Sequence, residues 1–276
     1  MPSSSSFAVV LPAYNEADRI GPALDELFGY LHRRETDTAL IGRNGGIGPG
    51  HLPWQIELIV VDDGSSDGTA ALVRERPEAG PAPLPGVTLR VLTVPHAGKG
   101  AAVRAGMLAA TAELVVFSDA DLATPPDELP RMVEALASAD VVLGSRIQDD
   151  GKDMRTSQPL HRRLIGKVFH ALAAWWVVGK VKDTQCGFKG FTRAAAQDLF
   201  SRQQITSIVF DVELIYLARR RGYQVVVVPV RWEDRRGSRM KARLGLALRV
   251  AWDLFRIPLI HRSVASASAR VPDRPA

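Results

Sequence analysis

Two aspartates at i and i+2, Asp119 and Asp121, follow the apolar run Leu114-Val115-Val116-Phe117. Carboxylates so spaced at the carboxyl end of a buried strand can share a divalent cation, and such sheet edges are where open α/β proteins bind ligands. A hard cation such as Mg²⁺ or Mn²⁺ takes one or two carboxylates and completes its shell with water and substrate phosphate oxygens. Asp is also frequent in turns for local hydrogen-bonding reasons, so the pair alone leaves a plain turn open. Three more clusters follow apolar runs: Leu11-Pro12-Ala13-Tyr14-Asn15-Glu16, Asp62-Asp63-Gly64-Ser65-Ser66-Asp67-Gly68-Thr69 and Gly144-Ser145-Arg146. In a parallel sheet all four would open on one crevice. No G-x-G-x-x-G follows the first run, no G-x-x-x-x-G-K-[ST] occurs, and Gly98-Lys99-Gly100 is too short for that phosphate loop. The six histidines and one cysteine show no zinc-ligand spacing. Lys99 can steer a phosphate or be a solvated loop lysine. Asp62 and Asp67 read as turn formers, and Cys186 as a packed small residue.

The elements that must position these residues are legible in outline. Strands are expected at Phe7–Leu11, Ile56–Val61, Val87–Val94, Glu113–Phe117, Val141–Leu143 and Tyr223–Val230. Several are apolar almost throughout, which indicates strands covered on both faces and a largely parallel sheet. Ile20, Leu24, Leu27, Phe28 and Leu31 recur at helical spacing, with Asn15 as a candidate cap and Glu16 and Asp18 in the first turn. Thr124-Pro125-Pro126-Asp127-Glu128 reads as another helix start. Thr36 to Pro53, Pro77 to Gly86 and the tail from Ser263 read as irregular surface. After residue 150 basic residues are dense around Arg155 to Lys167, and Trp175-Trp176 sits in an apolar stretch as core or interface residues. The basic stretch Arg231 to Arg243 includes Glu233 and Asp234, so internal pairing is one reading of it. Leu244, Leu248, Trp252, Phe255 and Leu259 form a helical stripe with Arg249, Asp253 and Arg256 on another face. Such a helix lies in a bilayer interface or packs on the domain's own core.

The chain of 276 residues is long enough for a large core, and its net charge of +5 does not single out nucleic acid. It suits phosphate substrates or an acidic membrane surface. One cysteine excludes an intramolecular disulfide and suits a reducing compartment. No basic-then-apolar leader and no run of membrane-spanning length is present, so a chain that lies on a membrane without crossing it is expected.

The segments Val9-Val10-Leu11-Pro12-Ala13-Tyr14-Asn15-Glu16, Val60 to Thr69 and Asp119-Ala120-Asp121 resemble inverting family 2 glycosyltransferases of GT-A fold. Within them, Gly144-Ser145-Arg146, Asp183-Thr184-Gln185-Cys186-Gly187-Phe188-Lys189 and Phe210-Asp211-Val212-Glu213-Leu214 resemble the dolichyl-phosphate β-glucosyltransferase branch. The resemblance runs from about residue 7 to 243. It implies an α/β GT-A nucleotide-sugar-binding fold, a mostly parallel sheet flanked by helices with a C-terminal amphipathic helix. One domain is expected over 1–262: a donor half at 7–150, an acceptor half at 151–243 and the helix at 244–262, then a flexible tail at 263–276.

The resemblance implies a nucleotide-sugar donor, UDP-glucose first, a polyprenyl-phosphate acceptor, and residence on the cytoplasmic face of a membrane. A GDP-mannose donor or a soluble sugar acceptor is the alternative, and a non-catalytic nucleotide-binding or membrane-docking protein is another. By the same resemblance Pro12, Tyr14 and Glu16 frame base and ribose, and Asp63 accepts from the base. Asp119 and Asp121 meet the ribose and a diphosphate bridged by Mg²⁺ or Mn²⁺. Arg146, Arg163, Ser238 and Arg239 contact phosphates, a task that suits the planar guanidinium fork. Mannosyl-lipid relatives often carry Gln where Ala123 stands, so metal coordination here leans more on water and the sugar stays open. Asp211 falls where sugar-acceptor relatives carry a base. An anionic lipid phosphate needs none, so Asp211 is expected to orient Arg163 or the acceptor pocket instead.

Overall fold

The computed structural model describes residues 6–42, 55–80, 84–154, 177, 183–235 and 244–264. Arg163, Ser238, Arg239, Trp175, Trp176 and the stretch Arg155 to Lys167 lie outside the described residues, as do 43–54 and the tail beyond 264.

Four strands open the chain: β1 (Ser6–Ala13), β2 (Gln55–Asp62), β3 (Val87–Thr93) and β4 (Leu114–Ser118). They pair in parallel, with Val9 opposite Leu58 and Val116. Helix α1 (Ala17–Gly42) follows β1, α2 (Thr69–Arg74) follows β2, and α3 (Lys99–Ala109) links β3 to β4. A short 3₁₀ turn, Pro126–Glu128, enters α4 (Leu129–Leu136), which leads to β5 (Val141–Ser145). The carboxyl half adds β6 (Phe188–Thr192), α5 (Arg193–Arg202), α6 (Phe210–Arg220), β7 (Val225–Pro229) and α7 (Leu244–Ile260). The sheet order is β3-β2-β1-β4-β6-β5-β7, and β6 runs antiparallel to both its neighbours. The expected mostly parallel sheet flanked by helices is present, and every expected strand forms within two residues of its anticipated ends.

Period-two alternation explains why the strands read as unbroken apolar runs. Phe7, Val9, Leu11 and Leu58 face one core with Ile20, Leu24, Leu27 and Phe28 of α1. Ala8, Val10, Ile59 and Phe117 face the other, with residues of α3, α5, α6 and α7. Burying each such aliphatic side chain contributes about 1.5–3 kcal/mol, so both faces hold the strand tips in place.

Three expectations need correction, and one strand was not expected at all. Asn15 does not cap α1: Glu16 does, its carbonyl accepting from Arg19 and Ile20 at 2.9 and 2.8 Å. Thr36 to Gly42 is helical, because α1 runs on to Gly42. Pro77–Ala79, within the expected loop, makes a 3₁₀ turn. Strand β6 gives no apolar run, since Phe188-Lys189-Gly190-Phe191-Thr192 puts a lysine in a sheet interior.

Candidate active site

The loops after β1 and β2 are tied to each other. The Asn15 N–H donates to Ser65 Oγ (2.9 Å), the Ser66 N–H to Asn15 Oδ1 (2.9 Å), and the Ala17 N–H to Asp67 Oδ2 (3.0 Å). Asn15 takes φ 54°, a left-handed conformation its short polar side chain tolerates. Asp67 also accepts from Thr69, and these bonds, opposed first by desolvation, hold its carboxyl below the usual range. Asp67 is a turn former, as expected. Beside this junction lies a cleft of about 510 Å³ lined by Pro12, Tyr14, Glu16, Asp63, His96, Lys99, Asp119 and Asp121, among others.

The entrance is aromatic. The Tyr14 and His96 rings stack at 4.1 Å. His96 Nδ1 lies 3.1 Å from the Asp63 carbonyl and 2.8 Å from its Oδ2. Both are acceptors, so Nδ1 carries the proton. Asp63 also accepts from the Ala97 and Gly98 N–H groups at 2.9 and 3.0 Å. Its carboxylate therefore moulds the 96–98 loop. The Glu16 carboxylate is likewise engaged, by Arg19 at 2.5 Å.

The floor carries the charge. Asp119 and Asp121 directly follow the end of β4, and Lys99 Nζ pairs with Asp119 Oδ1. Burial and the Asp119 charge push Asp121 above the usual carboxylate range, against the Ala123 N–H, Arg19 and Lys99. Burial alone would lower Lys99, yet Asp119, Asp211 and Asp121 together raise it. Leu122 takes φ 49°, a rare conformation for a bulky residue that stores on the order of 1–3 kcal/mol. It buries the Leu122 side chain while Asp121 lines the cleft. Gly187 completes the wall: its carbonyl accepts from the Asp119 N–H at 3.0 Å, and a Cβ there would overlap the Asp119 carboxylate. Only glycine leaves that carboxylate its room.

These residues fit a divalent cation. Among the described residues no group of three or more His, Cys, Asp or Glu converges on one point. Two carboxylates therefore suffice only if substrate phosphate and water finish the shell, as hard cations allow. A cation there would also relieve the repulsion that raises Asp121.

Arg146 and Asp211 sit differently. The Arg146 fork donates to Asp183 Oδ2 and Oδ1 at 2.8 and 2.7 Å, and its backbone N–H to the same carboxylate at 2.9 Å. The side chain lies beside Trp232, 5.7 Å from the ring centre, and does not line the cleft. Burial acts against the Arg146 charge, but Asp183 raises its pKa well above the usual value. Asp211 opens α6 and pairs with the fully buried Lys189 at 2.8 Å. Burial raises the Asp211 carboxyl, while Lys189 and Lys99 counteract it. Its partner among the described residues is thus Lys189, and Arg163 lies outside them. Cys186 is buried, its thiol pushed up by desolvation to about 11, a packed residue.

Lys99 opens α3 and is not a solvated loop lysine. His96, Gly187 and Lys189 were missed as site residues. Gly187 and Lys189 fall in a motif read for its resemblance, but nothing in one dimension shows what a glycine makes room for. Part of the 231–235 basic stretch pairs internally, as expected: Arg231 with Glu128 at 2.7 Å and Arg235 with Glu26 at 2.6 Å.

Comparisons with known proteins bear on the family and the fold. The model of the family "Glycosyl transferase family 2" matches residues 8–200. The chain is 38% identical over 269 residues to dolichyl-phosphate beta-glucosyltransferase ALG5C of Trichomonas vaginalis, covering 95% of this chain and 73% of that one. It is 31% identical over 246 residues to the Homo sapiens dolichyl-phosphate beta-glucosyltransferase, covering 86% and 70%. Among solved structures, Mycobacterium tuberculosis glucosyl-3-phosphoglycerate synthase with Mn²⁺, UDP and glucosyl-3-phosphoglycerate superposes with a TM-score of 0.55 at 20% identity, covering 96% and 82%. That likeness establishes a shared GT-A fold.

Proposed function

The chain belongs to glycosyl transferase family 2, and from that premise we propose that it moves glucose from UDP-glucose to a polyprenyl or dolichyl phosphate. The observation that carries the reading is one cleft holding Tyr14, Asp63, Lys99, Asp119 and Asp121. Relatives named dolichyl-phosphate beta-glucosyltransferase supply the sugar and acceptor.

The Tyr14 and His96 rings offer a stacking surface for the base, with Pro12 and Glu16 framing the ribose. Asp119 and Asp121 would hold Mg²⁺ or Mn²⁺ against the diphosphate, where the cation would stabilise charge on the leaving oxygens. A lipid phosphate oxygen attacks C1 of glucose from the face opposite the diphosphate. The C1–O bond breaks, its electron pair stays on UDP, and the anomeric centre inverts. Lys99 supplies positive charge where that negative charge develops. The acceptor is already an anion, so no proton need be removed. Asp211, held by Lys189, serves as a positioning group. Arg146 braces the end of β5 through Asp183, and a phosphate contact would use its remaining N–H donors. Arg163, Ser238 and Arg239 are proposed phosphate contacts from the resemblance alone, and residues 1–262 are taken as one domain.

We also place the protein on the cytoplasmic membrane face. No helix among the described residues is long and apolar enough to cross a bilayer. Leu248, Trp252, Phe255 and Leu259 of α7 remain 65, 60, 49 and 52% exposed, a stripe suited to the interface.

The test is thermal stability with UDP, GDP and their sugars plus Mn²⁺, followed by turnover on polyprenyl phosphate. Bound ligand raises stability by mass action, so UDP should raise Tm more than GDP, and UDP-glucose should be consumed only with lipid phosphate. Equal shifts for both nucleotides, or transfer to a soluble sugar alone, would overturn the assignment. Flotation with anionic liposomes tests the placement, and protein left unbound at low salt counts against it.

A further inference from the structure

The buried face of α7 mixes polar groups with apolar ones. Asp253 and His261 lie beneath it with Leu254 and Ile257. His261 Nε2 donates to Glu213 Oε1 at 2.7 Å, and Ser207 Oγ donates to Asp253 Oδ2 at 2.6 Å. The fully buried Glu213 carboxylate also accepts from the Gln204 and Ile205 N–H groups at 2.8 and 2.9 Å. The segment 203–207 is thus clasped from α6 and α7 together.

That segment is the seat of Lys99. The Gly100 N–H donates to the Thr206 carbonyl at 2.9 Å, and Gln203 Nε2 donates to the Gly100 carbonyl at 2.9 Å. A Cβ at Gly98 would stand 2.9 Å from the Thr206 oxygen, and one at Gly100 2.9 Å from the Ile205 oxygen. Glycines on both sides of Lys99 therefore rest directly against the clasped backbone. A buried carboxylate is a costly way to hold a loop unless its directional bonds matter, because apolar packing stabilises a core as well or better.

We infer that His261 and Glu213 are positioning residues that act through Lys99, setting its ammonium against the diphosphate site from the far side of α6. Neither side chain lines the cleft. The inference rests on the transfer reaction proposed above, in which Lys99 meets the departing diphosphate, and it makes α7 part of the catalytic scaffold.

The experiment is a double-variant cycle of His261 with Lys99, read as turnover of UDP-glucose on polyprenyl phosphate and as affinity for UDP with Mn²⁺. His261→Ala should cost about 10-fold in turnover, and His261→Gln, which keeps a donor for Glu213, should stay within about 3-fold of the parent. In a Lys99→Ala background, His261→Ala should cost less than about 2-fold more, because groups acting as a unit are not additive. Losses that multiply, or His261→Ala at the parent rate, overturn the inference. Should His261→Ala fail to fold, Ser207→Ala opens the same clasp from its other end and takes its place in the cycle. If the parent transfers nothing, the proposed reaction fails and the UDP affinities judge the positioning. If the parent binds no UDP either, amide exchange at Gly100 decides: about 10-fold faster exchange in the variant supports the clasp, and unchanged exchange removes it.

Discussion

Asp119 and Asp211 both lie near Lys99, yet the two regions that hold them have opposite designs. Asp119 keeps 35% of its side chain exposed and shares its edge of the cleft with a second carboxylate. Asp211 is 5% exposed and faces a lysine with no exposure at all. The first region leaves negative charge in excess, which a cation and a diphosphate can complete. The second is closed by its own chain. Proximity to Lys99 therefore does not put a carboxylate within reach of a ligand; exposure to the cleft beside a second carboxylate does.

The comparison predicts where substitutions act. The largest effect falls in the closed region: Lys189→Met leaves Asp211 as an unpaired buried charge and should cost about 3–5 kcal/mol of stability in denaturant titrations. Adding Asp211→Leu should recover most of it, since a well-packed apolar pair replaces a buried ion pair at little cost. A double variant no more stable than the single one would break the contrast.

At the open edge, Asp121→Asn should lower turnover by about 10²–10³-fold while leaving the fold intact. Its stability moves the other way. Asp121 titrates above its unfolded value, so its contribution is fully present below the ordinary carboxylate range and is lost as pH rises through the raised value. The Asn variant escapes that loss. It should melt higher than the parent near neutral pH without metal, and the gap should close in acid.

Gly187→Ala should reduce turnover by about 10²-fold, because displacing Asp119 by roughly an ångström misplaces the group proposed to meet the diphosphate. Parent-like metal-dependent turnover would show that the wall has more room than the Cβ overlap implies. Asp211→Asn should change least, within about 10-fold, since Asn keeps an oxygen for Lys189. A loss of about 10²–10⁴ would identify Asp211 as a general base after all.

Much of the open region is legible in one dimension. Strands covered on both faces write themselves as apolar runs, and polar residues directly after such a run must fall at a sheet edge. Asp63, Asp119, Asp121 and Tyr14 could be nominated on that basis, and the family motifs sharpen their roles. The closed region hides itself. Strand β6 was invisible because Lys189 interrupts it, and a buried lysine is acceptable only once Asp211 arrives from a helix 22 residues away. Helix α7 was open to two readings, and the structure mixes them: Leu248, Trp252, Phe255 and Leu259 face outward, while Asp253, Leu254, Ile257 and, just past its end, His261 face in.

The chain by itself determined the sheet's parallel strands, the acidic edge and the family, because hydrophobic periodicity and short motifs are local properties. Tertiary structure alone decided which carboxylates face the cleft and which are sealed from it. Whether a carboxylate is paired depends on partners distant in sequence, on burial that changes the cost of charge, and on the missing Cβ at Gly187 that leaves Asp119 its space.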